Sequence, residues 1–160
     1  MPTFIHRARA CIIVFISLTA FSAHAIMINL QLSSMTPSQQ NSFTQAADYW
    51  SNTLTGYQSG INIPYAVTIN ATIGPDDGIG GTLAYAGPTY VWNQQYTNGY
   101  VISAEGDIFF DSADLPQLEN NGSFSDVILH EMAHVLGFGT LWEANGVYIT
   151  GSGQYSGANA

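Results

Sequence analysis

From residue 10 to the end of this 160-residue chain there is no lysine and no arginine, while all eleven acidic residues lie at or beyond Asp48. A fold without cationic side chains forms no Lys–Glu or Arg–Asp salt bridge. It must be held by apolar packing, by hydrogen bonds, and by whatever supplies positive charge to its carboxylates, such as backbone N–H groups or bound cations. The same imbalance excludes function classes. A surface with no basic patch repels nucleic acid and anionic lipid, so neither is expected as a partner.

The only two cationic residues, Arg7 and Arg9, precede an apolar run from Cys11 to Phe21 and the triplet Ala23-His24-Ala25. A short basic region, an apolar stretch and small residues at the first and third places of a triplet describe an export signal cut after Ala25. The run is too short for a stable bilayer anchor. The chain therefore divides into a signal peptide, 1–25, and one exported domain, 26–160, secreted to the extracellular space or periplasm. Cys11, the sole cysteine, leaves with the signal, so the exported domain has no disulfide. His6 and His24 leave too, and only His130 and His134 remain.

Those two histidines frame Glu131 in His130-Glu131-Met132-Ala133-His134, inside the apolar stretch Ser125–Trp142. Read as a helix, this places the imidazoles about 40° apart on one face, near enough to hold one ion, with Glu131 beside them. Two imidazoles for Zn²⁺ and a carboxylate to take a proton from water are the components of zinc hydrolysis. A lone histidine on an apolar face is ordinarily a core residue. A pair at i, i+4 around a glutamate asks for more explanation.

Elsewhere the pattern alternates between strand and helix. Ile26–Leu32 reads as a strand. Thr36, Pro37 and Gln39 open a helix with a capping box, its apolar stripe running through Phe43, Ala46, Ala47, Trp50 and Leu54 to a stop at Gly56. Tyr65–Ile73 alternates as a half-buried strand, and Thr82–Trp92 reads as a strand bent at Gly87-Pro88. Tyr100–Ala104 and Asp107–Asp111 read as two strands turned at Glu105-Gly106. Between the strands, residues 74–81 form an acidic glycine-rich loop that reads as flexible and solvated, calcium binding being the less favoured alternative. Asp107, Asp111 and Asp114 read as solvated strand ends and caps. Pro116 and Asn120-Asn121-Gly122 mark a loop, after which Ser123 and Asp126 start the motif helix as a second capping box.

With its flanks, HEMAHVLGF (His130, Glu131, His134, Gly137, Phe138) followed by Gly139-Thr140-Leu141-Trp142 resembles the leishmanolysin-like branch of the metzincin zinc peptidases. Gly106–Leu115 and Tyr155–Ala160 are similar to segments of bacterial members. The resemblance implies an α+β fold, a zincin/metzincin-like N-terminal subdomain with a twisted mixed sheet, a backing helix and an active-site helix. It implies His130 and His134 as Zn²⁺ ligands, Glu131 as general base, and a peptide or protein substrate laid along an exposed strand edge, for which Asp107–Asp111 is the expected strand. The short metzincin pattern would place a third ligand at Thr140, a poor zinc ligand. The leishmanolysin-like pattern places a later histidine and a methionine turn, but no His follows His134 and no Met follows Met132. The expectation is an N-terminal portion of a secreted zinc endopeptidase. Glu143 is a less favoured local third ligand, and a secreted, non-catalytic binding protein on the same fold is the alternative function.

Overall fold

The structure is a computed structural model that describes residues 25–58 and 60–157. The expected export signal, apart from Ala25, and the last three residues of the chain lie outside the described residues. Four long strands, β1 (Met27–Ser33), β2 (Ala66–Gly74), β3 (Ala84–Trp92) and β4 (Ile102–Asp111), form one sheet in the order β1-β2-β4-β3. β1, β2 and β4 run parallel and β3 is antiparallel to β4. Helices α1 (Pro37–Thr53), α2 (Leu115–Asn120) and α3 (Phe124–Val135) and a small hairpin, β5 (Tyr148–Ile149) with β6 (Gln154–Tyr155), complete an α+β architecture.

The capping box of α1 forms as the sequence suggests. Thr36 Oγ1 accepts from the Gln39 amide at 3.3 Å, and Gln39 Oε1 accepts from the Thr36 amide at 2.8 Å. The helix ends at Thr53 because Leu54 is extended, two residues before Gly56. Along β2 the inward residues Val67, Ile69, Ala71 and Ile73 are buried and meet α1 and α3 on one face of the sheet. At the centre, Phe43 of α1, Phe110 of β4 and Phe124 of α3 pack edge to face, with ring centroids 5.3 to 6.3 Å apart. Such pairs add roughly 0.5–1.5 kcal/mol each beyond their buried area.

Glu105-Gly106 is not a turn. β4 runs through it unbroken, and a Cβ on Gly106 would lie 2.5 Å from the Gly87 carbonyl oxygen and 2.5 Å from Val135 Cγ1. Glycine is there because α3 and β3 press on β4 at that point, a use of glycine that sequence alone does not distinguish from a turn. β4 is also not an edge. Its Asp107–Asp111 half lies between β2 and β3, so the exposed edge on that side is β3. The bend expected at Gly87-Pro88 appears as register shifts between Pro88 and Val91.

Two further expectations are corrected around the 74–81 loop. Asp111 and Asp114 are 1 % exposed, not solvated. Asp111 accepts from the amides of Ala113, Asp76 and Gly78, and Asp114 Oδ1 accepts from Gly80 at 2.8 Å. The loop is thus pinned by backbone donors aimed at two buried carboxylates, which stand in for the missing cationic side chains. Asp107 is exposed and takes an amide hydrogen bond from Asn70, apart from the other two. The stretch from Leu115 to Asn120 is a short helix, α2, and not a loop. Ser123 does precede α3, but its hydroxyl bonds Asn121 Oδ1 at 2.6 Å and gives α3 no side-chain cap, so the second capping box does not form.

Gly106→Ala should lower the unfolding free energy by about 1–3 kcal/mol in urea denaturation, the usual cost of overpacking. The amides of Ala113, Gly78 and Asp76 hold the Asp111 carboxyl below its ordinary pKa against the opposing effect of desolvation. A lowered folded-state pKa contributes stability above the unfolded value of about 3.9 that is lost as pH falls through the folded one. Asp111→Asn should therefore flatten the acid limb of stability against pH, measured by denaturation at a series of acidic pH values.

Candidate metal centre

α3 buries Phe124, Ile128, Met132 and Val135 against the sheet and α1, and this fixes the direction of every other side chain on it. His130 is exposed and His134 is half-buried, both turned away from the core. α1 braces the helix from the side: the Trp50 indole N–H donates to the Leu129 carbonyl at 3.2 Å, and its ring lies 5.5 Å from that of Phe138. Burial of the apolar stripe thus holds the residues between Leu129 and Phe138 on a rigid element.

The imidazoles converge. His130 Nε2 and His134 Nε2 are 3.0 Å apart, with ring centroids at 4.5 Å and planes at 87°. Zinc–imidazole bonds of about 2.0–2.1 Å would span that separation at an angle near 95°. Opening the nitrogens by a few tenths of an ångström would bring the angle to tetrahedral. The two donors fit half of a zinc shell.

Glu131 is 6 % exposed, and desolvation pushes its pKa up, while His134 and then His130 pull it down. A carboxylate moved towards neutrality by burial is a stronger base than an exposed one. Glu131 adjoins His130 in the chain and lies near enough to both imidazoles to feel their charge.

Beyond α3 the chain folds back on its own end. Gly137 and Gly139 have φ of 107° and 79°, in the region glycine occupies without strain. The resulting turn brings the Phe138 carbonyl oxygen to 2.9 Å from His134 Nδ1, and Thr140 Oγ1 donates to the His134 carbonyl at 2.6 Å. Further on, Asn145 ties the turn to the start of β4: its Oδ1 accepts from the Val101 amide at 2.7 Å, and its Nδ2 donates to the Val101 and Leu141 carbonyls at 2.9 Å.

Comparisons with protein-family models, curated proteins and solved structures return no match. The chemistry of the site therefore rests on its own side chains. The structure brings the imidazoles of His130 and His134 together, and both act on the charge of the buried Glu131. It leaves Glu143 exposed, and among the described residues no three His, Cys, Asp or Glu side chains form a group able to hold a metal ion. Thr140, at the short-pattern third-ligand position, bonds backbone instead. Sequence reasoning missed the roles of the Phe138 carbonyl, Thr140 and Asn145. The Gly-x-Gly spacing after the helix was the one available signal, since it permits a tight return.

Asn145→Ala would strip partners from the Val101 amide and carbonyl. We expect a loss of about 1–3 kcal/mol in chemical denaturation, with the α3 core signals of an NMR spectrum retained.

Proposed function

We propose that this protein is built for zinc-dependent hydrolysis of peptide bonds, as a leishmanolysin-like metzincin of the secreted type, with His130 and His134 as metal ligands and Glu131 as general base. The observation that carries the reading is the convergence of the two Nε2 atoms at 3.0 Å beside a buried glutamate whose pKa is raised. Zinc, when bound, supplies Lewis acidity towards a carbonyl oxygen and makes water a better acid. His130 and His134 serve as neutral donors through Nε2. Glu131 accepts the proton from the attacking water on its carboxylate and returns it to the leaving amine nitrogen.

A peptide in extended form has a natural seat on β3, the sheet edge nearest α3, by backbone pairing. The outer residues Tyr85 and Tyr90 flank that edge. A mixed sheet with α3 beneath its antiparallel edge and α1 behind it supports a zincin-like subdomain. A metal held by two imidazoles binds more weakly than one held by three protein ligands, because each ligand also brings preorganisation. That same two-ligand count favours the second reading, a secreted binding protein that keeps the fold without catalysis.

Zinc titration and peptide cleavage by the purified protein separate the two. The expected result is stoichiometric zinc binding, weakened at least about tenfold in His130→Ala and His134→Ala. Any peptide cleavage should fall about 10²–10⁴-fold in Glu131→Gln, which keeps its zinc. Zinc binding indifferent to both histidine variants, or cleavage indifferent to Glu131→Gln, would overturn the proposal.

A further inference from the structure

We infer that the turn 136–140 is a positioning device that fixes His134 as its Nδ1–H tautomer, so that Nε2 presents a lone pair to the metal face before any metal arrives. The inference rests on the zinc reading for its purpose, but the ring states it assigns belong to the metal-free protein.

The hydrogen-bond chemistry leaves one assignment. The atom 2.9 Å from His134 Nδ1 is the carbonyl oxygen of Phe138, which can only accept. Nδ1 must therefore carry the proton, and in the neutral ring Nε2 is then an acceptor. The neighbour of that Nε2 at 3.0 Å is His130 Nε2. With His134 Nε2 accepting, His130 Nε2 is the donor. The two neutral rings hold opposite tautomers in the metal-free protein: His134 is already in its ligating form, and His130 must shift its proton to Nδ1 to ligate.

The carbonyl that imposes this order is held at several points. Phe138 N donates to the Ala133 carbonyl at 2.9 Å, Gly137 N to His134 O at 3.1 Å, and Leu141 N to Gly137 O at 3.0 Å. Thr140 Oγ1 adds a fourth tie, to His134 O. Gly139 passes over the ring itself: a Cβ built there would lie 3.6 Å from His134 Nδ1. Space at Gly139 is adequate for a methyl group, but its φ of 79° disfavours any L side chain, so alanine would strain the turn without filling a packed core. A second glycine, Gly151, has φ of 78° and open space around its Cβ position, and it lies in the separate β5–β6 hairpin. It matches Gly139 in backbone conformation but has no ring beside it.

Ring-nitrogen NMR of ¹⁵N-histidine-labelled, zinc-free protein, at a pH where both rings are neutral, reads the tautomers directly. Wild type and Gly151→Ala should show His134 protonated at Nδ1 and His130 at Nε2. Gly139→Ala should shift His134 towards a mixture and weaken zinc binding about 10–100-fold, the usual effect of losing an outer-shell partner. Thr140→Val should move both readings in the same direction, and Thr140→Ser should restore them. His134 protonated at Nε2 in wild type, or Gly139→Ala indistinguishable from Gly151→Ala in tautomer and affinity, would overturn the inference. Opposite tautomers in a wild-type protein that binds no zinc would sustain the positioning of the ring and sink the zinc reading.

Discussion

Everything at the candidate centre depends on how closely α3 can approach the sheet. The approach is set at Gly106, where Val135 Cγ1 and the Gly87 carbonyl both lie at 2.5 Å from the place a Cβ would take. One missing methyl group lets the helix sit against β4 and its antiparallel neighbour together. A helix held off the sheet would leave Ile128, Met132 and Val135 short of their contacts, and its outer face would turn with them. Because His130 and His134 share that helix with the buried stripe, packing on one side determines aim on the other.

The shortage of cations shapes the rest. In most proteins a carboxylate buried as deeply as Asp111 or Asp114 would be met by lysine or arginine. Here the 74–81 loop meets them with its own amides, and this converts a glycine-rich segment into an ordered connection to the edge strand. The same economy recurs at the centre, where a backbone carbonyl, not an aspartate, orders His134. Asn145 then fastens the turn to β4 with both ends of one amide.

Much of this was legible in the sequence wherever local chemistry decides structure. The α1 capping box, the alternation along β2 and the i, i+4 histidine pair each depend on residues within a few positions of one another, and each forms. The failures share a cause. Gly106 looked like a turn, Asp111 and Asp114 looked like solvated ends, and Asp107–Asp111 looked like an edge, because the facts that decide them are contacts with β3, α3 and the 74–81 loop, about 20 to 35 residues away in sequence. Ser123 failed for a local reason that pattern matching cannot weigh: Asn121 competes for the same hydroxyl.

The burial of Glu131 favours the catalytic reading over one in which the histidines alone matter. A protein that needed only a structural metal site would gain by placing a neutral or apolar residue at 131, since desolvating a carboxylate costs free energy and raises its pKa. The two imidazoles offset part of that cost only while they carry positive charge, and a neutral ligating pair offsets less. A glutamate kept in so unfavourable a place beside the paired imidazoles makes physical sense where its heightened basicity is used. In the proposed hydrolysis that use is proton abstraction from water.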